Sequence, residues 1–269
     1  MGYIKDGLNK LYKDEDAPPI HFLALFVLSV TFAISLYPEM LLTLKLFDHS
    51  QYDHYHNVTT GISSAMLFLF GLYIMGYNLG IMNNAFSRNK NTVLPEIDGK
   101  PMRTIINALP LYLTWWGYYF VVVCIIAAIA YFWRSPHSLF VLSPIVLAFM
   151  FILPFVSFVF VQYAKKQDKT GLYGILTVFK YIKPANVKTF FKFLLKFSPL
   201  WILVIAFSFI TYFVNLPVAL QINVTMIPDF FYSKLFLVNT FSAYLDIMLG
   251  FLWSYCVTKI FIDSVEPTL

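Results

Sequence analysis

The chain of 269 residues and 31.1 kDa is 59% hydrophobic and only 12% charged, with a net charge of +5 and a mean hydropathy of +0.70. A soluble domain carries about 25% charged residues, so most of this surface is not built to face water. Together with 29 Phe and 18 Tyr, this composition excludes a soluble enzyme, a disordered chain and a disulfide scaffold, and it points to a polytopic membrane protein.

A helix crossing the hydrocarbon layer needs about 20 apolar residues. Six segments qualify: Ile20 to Tyr37, Gly61 to Met82, Thr104 to Trp133, Ser138 to Tyr163, Phe193 to Val214 and Leu237 to Thr258. Between them they hold two formal charges, Lys196 and Asp246. Transmembrane barrels read as short alternating segments, whereas runs such as Tyr118-Tyr119-Phe120-Val121-Val122-Val123 do not alternate. The expected fold is therefore an all-α, six-helix membrane bundle. Residues 20–262 form the membrane domain, residues 1–19 an N-terminal tail and residues 263–269 a C-terminal tail.

Lys and Arg set the orientation. Three precede the first span, four lie between the second and third, eight between the fourth and fifth, and Lys259 follows the sixth. The alternate loops hold only Lys45, Arg134 and Lys234. Sixteen against three places both termini in the cytoplasm. The acidic Asp14-Glu15-Asp16 before the first span is unlike a signal peptide, so that span is expected to be retained.

The first outer loop, Asp48-His49-Ser50-Gln51-Tyr52-Asp53-His54-Tyr55-His56, gathers three of the five histidines. On a strand His54 and His56 would share a side, and with His49 and Asp53 they form a candidate Zn²⁺ or Cu²⁺ set. No established ligand spacing is met, so a polar loop without metal is the simpler reading. Asn57-Val58-Thr59 and Asn223-Val224-Thr225 match the glycan-acceptor pattern, which short sequences reach by chance.

The second span closes with Gly76-Tyr77-Asn78-Leu79-Gly80, and a basic stretch leads to Leu94-Pro95-Glu96-Ile97-Asp98. After the fourth span come Tyr163-Ala164, a basic turn and Gly174-Ile175-Leu176. This arrangement resembles the prokaryotic membrane family catalogued as domain of unknown function 4013, over about residues 60 to 260. Ile97 stands where that family tends to carry Trp, and Asp98 lacks a second acid after it. The resemblance implies a multi-pass protein of a prokaryotic inner membrane and assigns no chemistry. Glu96 and Asp98 are spaced for acid–base or Mg²⁺ work, but no nucleophile or phosphate loop accompanies them, which favours a helix-capping turn.

Pro110, Pro144, Pro154 and Pro199 fall within spans as kink or hinge candidates, and Trp115-Trp116 reads as packing. Cys124 and Cys256 lie in spans and imply neither a disulfide nor thiol chemistry. Between the fourth and fifth spans, Lys180 and Lys183 precede Lys188, Lys192 and Lys196, which recur every four residues beside Phe190, Phe191, Leu194 and Leu195. That pattern predicts a basic interfacial helix, its lysines on anionic headgroups or a partner and its aromatics in lipid.

Asp246 is the sharpest single residue, because an ionisable group at mid-membrane normally faces the bundle interior and pairs. Asn78 near the end of the second span, Ser and Thr on neighbouring helices, or a tyrosine hydroxyl are candidate partners, and a protonated or hydrogen-bonded Asp that holds helices together is the simpler reading. No cofactor or nucleic-acid motif accompanies these residues, and no paired acids, HExxH or Ser with a base marks an intramembrane enzyme. Two functions stay open. One is a non-enzymatic subunit of a larger membrane assembly, whether with other chains or with itself. The other is a transporter or channel component using the kinked spans and Asp246, as a homo-oligomer or beside a separate ATPase.

Overall fold

A computed structural model describes residues 2–13, 17–43, 46, 49–86, 93–95, 97, 101–132, 155–165, 175–219 and 229–265. The described residues are helical, with no strand among them. Helix α1 spans Gly2–Tyr12, α2 Ala17–Thr43, α3 His49–Phe86 and α4 Pro101–Phe132. A shorter apolar helix, α5, covers Phe155–Lys165. A 3-10 turn at Ile175–Tyr181 precedes α6 (Pro184–Ala219) and α7 (Asp229–Val265). Four stretches are long and apolar enough to cross a membrane: Ala17–Pro38, Gln51–Phe86, Pro184–Phe207 and Leu235–Ser264. Much of the fourth expected span, 138–163, lies outside the described residues.

Proline supports several of these helix starts. Pro101 and Pro184 open α4 and α6, and Pro18 and Pro19 sit in the first turn of α2, where a missing N–H costs no intrahelical bond. Pro110 leaves α4 unbroken, and its carbonyl accepts the Thr114 hydroxyl at 2.7 Å.

Two segments expected to be irregular are helical. Residues 2–12, read as a tail, form α1. The histidine-rich segment read as an outer loop forms the first turns of α3, a helix of 38 residues and about 57 Å. That length exceeds the roughly 30 Å of hydrocarbon, so part of α3 extends beyond the hydrocarbon layer.

The outer surface identifies the solvent. Phe22 is 72% exposed, Met102 66%, Phe120 66% and Ile202 64%, with many other large apolar side chains around them. Scattered exposed apolar residues are ordinary on a soluble protein, but continuous coverage of this kind on long helices belongs in lipid. The chain is a membrane protein.

The core is asymmetric along the helix axes. It gathers Ile20, Ala24 and Leu28 of α2, Tyr77 and Ile81 of α3, Phe155 to Val161 of α5, Phe190, Phe193 and Phe197 of α6, and Phe251 to Phe261 of α7. These positions lie at the helix ends that adjoin the basic segments of the chain, hereafter the basic end. Toward the opposite end α7 is only partly buried, and the first turns of α3 are mostly exposed. Helix α7 packs on α1, α2, α3 and α6.

An aromatic cluster joins four elements at the basic end. The Trp253 ring lies 5.4 Å from Phe193, 5.3 Å from Phe197 and 6.0 Å from Phe190, while Phe158 contacts Phe190, Tyr181 and Phe261 at 5.2, 6.0 and 5.5 Å. Tilted and edge-on pairs of this kind add to the area they bury. The Trp253 indole N–H also donates to the Ser157 hydroxyl at 3.2 Å, which ties α7 to α5.

Helix α1 closes this end. Its Gly7 faces α7 so closely that a Cβ there would stand 2.8 Å from Leu252 and Tyr255. The buried Tyr255 hydroxyl donates to Asp6, Tyr3 donates to Asp263, and the Cys256 thiol lies 3.6 Å from the Tyr3 carbonyl. Partial burial, then the hydrogen bond and charge of Asp263, push the Tyr3 phenol up to about 12.

Cys256 reports on this docking, because α1 covers it whereas Cys124 is exposed. In a Cys124→Ala background, Asp6→Asn combined with Tyr255→Phe should speed maleimide labelling of Cys256 roughly tenfold or more, since a hydrogen bond to a charged group contributes about 1.5–3 kcal/mol. Unchanged labelling would remove these bonds from the account. The Tyr3 contribution is fully present below its ordinary value of 10.0 and is lost as pH rises toward about 12. Amide exchange in residues 3–12 should therefore accelerate between about pH 10 and 12, and Tyr3→Phe should flatten that response.

Candidate functional site

Residues 76–84 of α3, residues 93–95 and the start of α4 meet in space at the basic end. Glycines four apart lie on one face of α3, and each is a point of close approach. A Cβ on Gly76 would overlap the Thr104 carbonyl of α4, and one on Gly80 would overlap the Pro95 ring. Between them, the Tyr77 hydroxyl donates to the Pro95 carbonyl at 2.9 Å. One turn on, the Asn84 amide donates to the Val93 carbonyl at 3.2 Å. Val93 and Leu94 are 3% and 2% exposed, so this part of the loop is folded into the core. Lys259 of α7 donates to the Ala85 carbonyl at 2.9 Å, satisfying a carbonyl in the last turn of α3. Glu96 and Asp98 lie outside the described residues.

Asn78 belongs to the same clasp. Its side-chain oxygen accepts the Ser254 hydroxyl at 2.8 Å, linking α3 to α7. Gly250, one turn earlier on α7, leaves room for the Asn78 amide, which would stand 3.8 Å from a Cβ there. The bond to Ser254 accounts for Asn78 without Asp246.

Asp246 does not sit in the packed core. It is exposed, twelve residues into the 30-residue apolar stretch of α7. Among the described residues it has no hydrogen-bond or ion-pair partner.

The lysines divide between two elements. Lys180 lies in the 3-10 turn and Lys183 just after it, while Lys188, Lys192 and Lys196 occupy the first turns of α6. All five are exposed. The spacing of four holds, with the three α6 lysines along one side of the helix. The aromatics differ from expectation. Phe191 and Leu195 are exposed, at 53% and 60%, but Phe190 is 1% exposed and packs against Phe155 at 5.1 Å. The basic segment is continuous with the apolar stretch beginning at Pro184. The reason is register: Phe190, Phe193 and Phe197 follow i, i+3, i+7 and form a core-facing stripe that the lysines avoid.

The histidines do not converge. His54 and His56 stand on the α3 helix, about 200° apart, rather than sharing the side of a strand. His54 stacks edge-on with Tyr55, and His56 Nδ1 lies 3.3 Å from the Tyr52 hydroxyl. His49 begins the helix and Asp53 is exposed. No group of three metal-binding side chains exists among the described residues.

One polar pair escaped the sequence reading. His21 of α2 meets the Tyr244 hydroxyl of α7 at 2.8 Å and stacks on Tyr12 at 5.7 Å. The sequence offered no signal for it, since the partners lie 223 positions apart. The glycine spacing at 76 and 80, by contrast, is a readable mark of close helix approach.

No family model matches the chain, and neither a curated protein nor a solved structure is detectably similar to it.

Gly76→Val should lower the thermal midpoint by several degrees, because overpacking against backbone costs about 1–3 kcal/mol or more. Gly71, whose Cβ would meet nothing within 4 Å, serves as the control: Gly71→Ala should leave the midpoint unchanged or raise it slightly. Equal losses in both variants would mean that the close approach at Gly76 does not set the effect.

Proposed function

We propose that this chain is a non-enzymatic subunit of a larger membrane assembly. In this reading it has six spans, both termini in the cytoplasm, and a place in a prokaryotic inner membrane. Helix α4 and the segment around 138–163 supply the spans beyond the four apolar stretches described above. Membership of the family catalogued as domain of unknown function 4013 belongs to the same proposal, and the clasp between residues 76–80 and 93–95 gives its motif a structural purpose.

Asp246 carries the reading. A carboxyl at the centre of a membrane helix costs about 2.5–3.5 kcal/mol on insertion scales. Such groups are normally turned inward or covered. This one is exposed beside apolar neighbours, so a second subunit offering a donor at that depth would recover the cost. A second reading, a transport component, draws on the same residue: in a homo-oligomer the carboxyls of several copies would line a path through the open half.

Extraction in mild detergent, followed by native mass measurement and identification of the accompanying chains, tests the choice. Stoichiometric partner chains are expected. Asp246→Leu should release them while leaving the thermal midpoint of the isolated chain unchanged, and Asp246→Asn should retain them through its amide. A lone homo-oligomer, with a proton-dependent flux abolished in Asp246→Asn, would replace the subunit reading with transport.

A further inference from the structure

A cavity of about 200 Å³ opens between the start of α1 and the first turns of α6. Gly2, Tyr3 and Ile4 line one side, and Thr189, Lys192, Phe193 and Lys196 the other. Two ammonium groups one turn apart face the same space as the first turn of α1, whose N–H groups have no intrahelical acceptor. No acidic residue occupies that first turn, and none lines the cavity. Ile4 and Phe193 supply an apolar wall. Tyr3 is held by Asp263, and Asp6 by Tyr255, so the α1 side of the cavity is anchored to α7 rather than free.

We infer that this cavity is a binding site for a phosphate group, and specifically for the phosphodiester headgroup of an anionic lipid. Lysine binds phosphate as a mobile point charge, and a pair at i and i+4 can engage two oxygens of one group. The lipid source is favoured by position. The cavity lies at the head of the Pro184–Phe207 apolar stretch, and Phe191 and Leu195 beside it are exposed as an acyl chain would require. A headgroup seated there would lie at membrane-surface depth, with its tails running down α6 toward exposed Ile202. The inference extends the proposed topology, in which the basic end faces the anionic cytoplasmic leaflet. It does not require a partner chain, and the binding itself is measurable without either.

The test is native mass spectrometry of the full chain in detergent, titrated with phosphatidylglycerol and, separately, with phosphatidylcholine. One tightly held phosphatidylglycerol is expected. Lys192→Gln with Lys196→Gln should weaken it roughly tenfold or more, whereas Lys180→Gln with Lys183→Gln, an equal loss of charge outside the cavity, should change it little. Thr189→Phe keeps both lysines but fills the space, and it should weaken binding without lowering the thermal midpoint. Equal retention in the cavity pair and the control pair would overturn the site. Displacement of the lipid by millimolar inorganic phosphate would assign the cavity to soluble phosphate and overturn the lipid source. Partner chains lost on extraction would bear on the assembly reading alone and leave this result standing.

Discussion

The last three turns of α7 hold the molecule together. From Phe251 to Phe261 nearly every side chain is buried, with Tyr255, Cys256, Val257, Thr258 and Ile260 at 0% exposure, and α1, α3, α5 and α6 all reach this segment. In lipid the apolar effect does not drive helices together, so association depends on close packing and on polar groups that find one another. That requirement explains the mixture found here. Trp253 supplies shape to α6 and a donor to Ser157, Ser254 reaches Asn78, Tyr255 reaches Asp6, and Lys259 reaches the end of α3. Together these bonds tie α5, α3 and α1 to α7, so losing one loosens one contact rather than the whole bundle.

This arrangement concentrates order at one end. The basic end is a solid core of interlocked aromatic rings closed by α1, while the other half of α7 is only partly covered and carries Asp246 outward. The cavity between α1 and α6 belongs to the ordered half, where two lysines are held at fixed spacing by a helix whose opposite stripe is locked into the core. The proposed site gains from that rigidity, because neither lysine-bearing turn must be ordered when a ligand arrives.

The motif around Gly76 shows how small residues acquire meaning only in three dimensions. Two glycines on one helix face let α4 and the Pro95 loop approach backbone to backbone. Tyr77 then seals the contact from the side. Residues 76–80 and 93–95 thereby form a mechanical clasp that needs no chemistry to explain it.

Composition and hydropathy alone established that the chain is helical and lives in a membrane, because backbone groups in lipid must be satisfied within helices or closed barrels. The lysine distribution and the i, i+4 spacing on α6 were equally legible, since both are properties of local sequence. Tertiary structure decided the rest. Residues 2–12 are a docked helix rather than a tail because Gly7 fits against Leu252 and Tyr255, more than 240 positions away. Phe190 turned inward because α5 and α7 offered rings to pack against, which no local pattern records. Asn78 found Ser254, and Asp246 was left facing outward, because pairing depends on which helix faces lie opposite each other, and a single sequence specifies that only through the completed packing.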